Sequence, residues 1–249
     1  MSNLNRRIQL LTTSNILSWS LVVLFALTGF SQQARTKFTE IDAERINIIG
    51  ANNKPVLVLA NRRLIPGPSM NGKDYPRSLA DGRELLSGMI FFNEQGDEVG
   101  GLIYNGIKKD SGYSSLGHLS FDQWKQNQVV ALQYLDNGTS RRAGLRVWDR
   151  PTEVGMDIQL DRSLRFMQSE GKEREKIRSE IEAARARGEL GNERLFVGSQ
   201  DQTAQIQLRD KQARVRVKLY VDANDVARLE FLDENGKVLA SYPGVTSGK

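Results

Sequence analysis

FFNEQGDEVGGL, residues 91–102, sets three acidic residues and three glycines within twelve positions. Read as chemistry, it is a metal loop or a pair of catalytic carboxylates. Read as structure, it is a tight turn between two strands. A second copy decides between them. FLDENG, 231–236, matches FFNEQG, 91–96, almost position for position: an apolar pair, an Asx-Glu-amide-Gly turn, then another apolar strand. In that copy Lys237 and Val238 stand where Asp97 and Glu98 stand in the first. The turn recurs, with Gly supplying backbone freedom, and the acids do not. ANNK (51–54) between INII and VLVL, and DAND (222–225) between KLYV and ARLEF, are cousins of the same turn. The repeating unit is a β-hairpin. A chain of such units is mainly β, built as a meander, a barrel or a β-solenoid-like stack.

Short apolar runs between Gly, Asn and Asp clusters predict strands at 45–49, 55–60, 89–93, 101–104, 118–121, 128–135, 143–148, 194–198, 204–208, 215–221, 227–232 and 237–241. RVRVKLYV, 214–221, alternates polar and apolar, so one face is buried and the other wet. Its wet face is basic, which blunts an edge strand. Residues 161–190 break this rhythm with helix formers, and Ile177, Ile181 and Ala184 recur at i, i+4, i+7 as one narrow apolar stripe. Gly171 divides the segment into two helices, and Gly188 suits a C-terminal cap. The stripe predicts a surface helix leaning on a sheet; a self-associating or partner-docking arm is the alternative. The chain thus reads as an anchor with a short connector (1–34), a β-rich region (35–160), a helical segment (161–191) and a C-terminal hairpin region (192–249).

Residues 8–33, IQLLTTSNILSWSLVVLFALTGFSQQ, carry no charge, and Arg6 and Arg7 stand just before them. A basic flank followed by a hydrophobic run reads as a signal peptide or a signal anchor. The run exceeds the roughly 20 residues that span a bilayer as a helix, so an uncleaved transmembrane helix is expected, although Gly29, Ser31 and Ala34 permit cleavage. A buried core helix of a cytosolic protein would explain neither the terminal position nor the basic flank. The flank orients the N-terminus to the cytoplasm and places 35–249 outside it. The formal net charge of +5 is too mild and too scattered for a nucleic-acid partner. With no cysteine, disulfides, thiolate metal sites and cysteine nucleophiles are excluded.

Few stretches carry chemistry. As a calcium loop, 93–104 places its glycine at the fourth position rather than the sixth, and Tyr104 stands where a bidentate Glu is needed. As glycosidase acids, Glu94, Asp97 and Glu98 are candidates, yet Asp97 and Glu98 are adjacent and point to opposite faces of a strand. His118, the single histidine, has Ser114, Ser115 and Asp122 nearby, but no G-x-S-x-G elbow accompanies them. A histidine metal site lacks ligand spacing, and no Walker loop or GxGxxG opens a helix. NGT, 137–139, reads as a hairpin turn. Trp124, Trp148 and Tyr134 are either a carbohydrate platform or packing. No catalytic, cofactor-binding or metal residue, no cofactor and no small-molecule substrate is therefore assigned.

FTEIDAERINIIG, NRRLIPGP, GMIFFNEQGDEVGGLIYNG, HLSFDQWKQNQV, AGLRVWDRP, RLFVG and LEFLDENGKVL together resemble a family of bacterial envelope proteins with an N-terminal hydrophobic anchor, a β-rich body and no assigned activity. The resemblance runs from about residue 38 to 239 and implies a bacterial envelope protein. The resulting expectation is a non-enzymatic, membrane-anchored protein for binding or assembly, with a homo-oligomer or an envelope protein as partner. Alternatives are a glycan hydrolase using Glu94, Asp97 or Glu98, and a calcium-stabilised adhesin.

Overall fold

The computed structural model describes residues 2–29, 36–80 and 82–243. The chain divides into two units, Met1–Asp42 and Ala43–Lys249. The first holds helix α1 (Ser2–Gly29), whose side chains from Asn3 to Leu24 are exposed. Three of its hydroxyls bond within the helix: Thr12, Thr13 and Ser20 donate to the carbonyls of Ile8, Gln9 and Ile16 at 2.7–2.8 Å. Among the described residues no helix is long and apolar enough to cross a membrane. Ser31 and Ala34, where cleavage was considered, lie outside the described residues.

The second unit is mainly β. β1 (Arg45–Ile49), β2 (Pro55–Ala60), β5 (Ser87–Phe92), β6 (Glu98–Lys109), β7 (Gly112–Asp122), β8 (Gln128–Asp136) and β9 (Arg141–Asp149) pair antiparallel in that order. β10 (Asn192–Gln200), β11 (Thr203–Arg209), β12 (Val215–Val221), β13 (Ala227–Leu232) and β14 (Val238–Tyr242) continue the same twelve-stranded sheet. Each hairpin lays the next strand on the free edge, and among the described residues β1 and β14 pair on one side only. Of the three predicted arrangements this is the open meander.

Two excursions leave the sheet and return to the neighbouring strand. Between β2 and β5 come the two-residue strands β3 (Ser69–Met70) and β4 (Lys73–Asp74) and two 3-10 turns, Arg77–Leu79 and Arg83–Leu85. Between β9 and β10 come α2 (Met156–Gln168) and α3 (Gly171–Ala186). The helical segment does not split the sheet, because β9 pairs with β10 across it. As predicted, Gly171 opens the second helix, Ile177 and Ala184 are buried, and Gly188 adopts φ +77° after the last turn. The first helix begins five residues before the expected 161. α3 leans back on α2 rather than on the sheet: the Arg174 guanidinium lies 4.6 Å over the Phe166 ring. β6 and β7 run well past the predicted 101–104 and 118–121, because NGIKK and GYSS pair fully while lacking the alternation that marks a strand.

The two excursions meet over one face of the sheet. Val58, Ala60 and Ile90 of that face pack with Ile65 and Leu86 of the first excursion. Met70 and Tyr75 pack with Leu160 of α2. Tyr75 also donates from its hydroxyl to Asp161 at 2.8 Å, and Asn71 Nδ2 to Asp157 at 2.9 Å.

The predicted turn recurs as one geometry. In Asn93–Asp97 and Asp233–Lys237 the first and fifth residues bond through N–H to O=C, at 3.0 and 2.9 Å. The first side chain accepts from the third and fifth backbone amides at 2.9–3.0 Å. Gly96 and Gly236, fourth in each turn, adopt φ +90° and +81°. The turns that open at Asp222 and Asp210 make the same bonds, with Asp225 and Ala213 in the left-handed position. Of the Asp-Glu-Asn-Gly copy the 210–214 turn keeps only the opening Asp, and so sequence comparison passes over it.

Candidate functional site

The acids of the opening stretch go to three different places. Glu94 is exposed on the turn. Asp97 is 1% exposed and fully engaged. Its carboxylate accepts from Lys125 Nζ at 2.5 Å, from the Asn71 backbone amide at 2.6 Å and from Asn93 Nδ2 at 3.0 Å. Burial pushes this carboxyl up, but the bonds from Lys125, Asn93 and Asn71 outweigh it and hold the group below the usual carboxylate range. Asp97 is thus a tie among three loops: its own turn, the β3–β4 hairpin and the 123–127 turn. Glu98 forms a two-pronged pair with Arg83 at 2.6 and 3.0 Å, and Arg83 also donates to the Pro66 carbonyl at 3.3 Å. Both carboxylates are thus taken up by structural bonds. Among the described residues no group of three or more His, Cys, Asp or Glu could hold a metal.

The glycines that follow have a separate reason. A Cβ on Gly100 would collide with the Ser120 carbonyl, and one on Gly101 would come within 2.6 Å of the Met89 carbonyl. β6 therefore runs close to both neighbours. Over the bare Gly100 the rings of Phe91 and Phe121 stack with centroids 6.2 Å apart, which closes the gap its missing side chain leaves.

Beneath the excursions lies a cavity of about 460 Å³. Arg83, Glu98, His118, Ser120, Asp122 and Gln126 give it its polar lining, and Ile90, Ile103, Met156 and Leu160 its apolar one. Sequence proximity had grouped His118 with Asp122, and both do face this space, joined by Ser120 rather than by Ser114 or Ser115. Ser115 instead donates to the Asn105 carbonyl at 3.2 Å. Burial, reinforced by the Glu98 charge, pushes Asp122 up to about 7 against the opposing pull of Arg150 and Arg83. Burial, with Arg146 nearby, lowers His118, whose Nδ1 sits 3.2 Å from Gln133 Nε2. Gln126 is spent on structure, donating to the Val154 carbonyl at 2.6 Å and accepting from Gln159. Ser120 and the pocket itself were absent from the sequence reading, because the residues that enclose it come from excursions nearly ninety positions apart.

The three candidate platform aromatics do not converge. Trp148 is buried on the covered face under the guanidinium of Arg146, 4.7 Å from its ring. Tyr134 points to the opposite face, and Trp124 is exposed in a turn.

That opposite face is the largest feature left uncovered. Paired residues of an antiparallel sheet project to the same side, so the registers define rows. One row crosses all twelve strands: Ile46, Leu59, Met89, Leu102, Leu119 and Leu132, then Leu145, Val197, Ile206, Leu219, Leu229 and Tyr242. A second row, two residues along each strand, runs from Ile48 through Leu57, Phe91, Phe121 and Leu208 to Phe231 and Ala240. Gly100 is its only position without an apolar side chain. Neither row holds a polar side chain apart from the Tyr242 hydroxyl, yet Leu132 is 59% exposed, Leu219 48% and Phe231 47%. Along one border Asp136 gathers the hydroxyls of Tyr113 and Tyr134 and the Arg141 guanidinium at 2.7–3.1 Å. The backbone amide of Gly138 and Arg141 together hold the Asp136 carboxyl well below its usual range.

No family model matches the sequence, and no curated protein or solved structure does.

Proposed function

We propose that the chain is a non-enzymatic, membrane-anchored protein of the bacterial envelope whose β-rich body serves binding or assembly. The observation that carries this reading is the uncovered apolar face. Soluble monomers rarely leave contiguous apolar patches larger than a few hundred Å² in water, and two rows across twelve strands exceed that. The candidate acids favour the same reading, since Asp97 and Glu98 are occupied by Lys125 and Arg83. The anchor is the uncharged run 8–33, with Arg6 and Arg7 on the cytoplasmic side and 35–249 outside. Its support is the helical course of α1 and the return of the Thr12, Thr13 and Ser20 hydroxyls to the helix's own carbonyls, which lowers the cost of placing them in lipid. The apolar sequence continues past Leu24 to Phe30.

One experiment tests both parts. Full-length protein is fractionated from cells, extracted in mild detergent and sized, beside the double variant Leu132→Glu/Leu145→Glu. The wild type should sediment with membranes, resist carbonate and migrate as an assembly larger than one chain; the variant should stay in the membrane and migrate alone. Release by carbonate overturns the anchor, and a single-chain wild type overturns assembly.

A further inference from the structure

The occupant of the apolar face, we infer, is a second copy of this chain stacked face to face, an inference that rests on the assembly reading above. Three observations select this occupant. The first is shape. Four cavities among the described residues, of about 410–690 Å³, include no side chain of either row. Those hollows, and not the face, have the concave form in which acyl chains and small apolar ligands bind. The face offers a broad surface, and such surfaces pair with sheets about 10 Å away.

The second is chemistry. A face with no charged side chain in two successive rows leaves nothing for a polar partner to recognise, and any charge placed against it would be desolvated without compensation. The partner must itself present rows of Leu, Ile, Val and Phe at the spacing of neighbouring strands, and the chain's own face does so. Its border fits as well, because the Tyr113–Tyr134–Arg141 group on Asp136 supplies a Tyr- and Arg-bearing polar rim.

The third is extent. Twelve strands at about 4.8 Å spacing, with rows about 7 Å apart, make the apolar strip about 50 Å long and 15–20 Å wide. Its area is therefore about 700–1,000 Å², close to the roughly 800 Å² per partner of a stable complex. An isologous pair closes on itself and leaves neither face open, so two copies form the smallest complete assembly. The two-fold axis then passes near the middle of the sheet. The sixth and seventh rungs of the row, Leu132 and Leu145, lie closest to their counterparts.

The chain has no cysteine of its own, so single substitutions report cleanly. Full-length Leu132→Cys and Leu145→Cys, purified in detergent and treated with a short bismaleimide, should each yield a linked species of twice the 28.0 kDa chain. Lys218→Cys, which projects to the opposite side of the sheet, should not. Native mass spectrometry of the wild type should give a multiple of one chain. A single-chain mass, or linking at Lys218→Cys equal to that at Leu132→Cys, overturns the second-copy inference. Should the purified chain be single while cell extracts hold it in a larger assembly that Leu132→Glu/Leu145→Glu abolishes, the face docks a different protein. The proposed function then stands and this inference falls.

Discussion

Asp97 shows how a conspicuous acid can be structural. Its carboxylate satisfies a lysine, a backbone amide and a side-chain amide from three loops, and no solvent reaches it. Removing a buried charge strands its partner, so Asp97→Asn should lower the unfolding free energy by about 2–3 kcal/mol. Glu94→Gln, on the exposed side of the same turn, should stay within about 0.5 kcal/mol. Urea titration of the two variants measures the contrast, and equal effects would remove the tie. Asp122 behaves in the opposite sense. With its folded pKa raised to about 7, the folded chain keeps a proton that the unfolded chain has already released. Stability therefore falls as pH rises from about 4 to 7. Asp122→Asn should flatten that slope in urea melts across this range, and an unchanged slope would assign it to other groups. The absence of the acids from the second copy was legible in the sequence. The partners of Asp97 were not, because Asn71 and Lys125 lie 26 and 28 positions away in loops that no local pattern connects.

At the scale of the element, the recurring turn is what the sequence conveyed best. An Asx side chain capping two amides and a residue of positive φ in fourth place are local requirements, visible in the residues themselves. Where only the opening Asp is left the signal vanishes, as in 210–214, whose fourth residue is Ala213 with φ +64°. An alanine held there is strained, and Ala213→Gly should stabilise the protein by about 0.5–1 kcal/mol. A drop in the urea midpoint would show that the turn does not carry that strain. Strand centres were legible from alternation. The outer halves of β6 and β7, and the two-residue strands β3 and β4, were not. Those segments are extended because neighbours pair with them or hold them, through contacts such as Asp97 to Asn71 and Asp161 to Tyr75, and not because of their own composition.

At the scale of the molecule, the sheet carries its ordinary core on one face and a second apolar layer on the other. Hairpin periodicity left a meander, a barrel and a β-solenoid-like stack open, and it could not reveal the apolar rows opposite the core, since they emerge only from register across strands far apart in the chain. If that layer is buried between copies, folding and association are linked. The melting temperature in detergent should then rise with protein concentration, and a melting temperature independent of concentration over two decades would count against the linkage. The strictly sequential strand order has a further consequence. Every strand of the large sheet finds its partners in the strands just before and after it along the chain, so the sheet can form in the order of synthesis, rung by rung. The same wiring lets a hairpin be duplicated or deleted without disturbing any other pairing. Chain length then becomes a ruler, each added hairpin lengthening the apolar strip by about 10 Å, and a lineage could tune the grip of its assembly simply by counting turns.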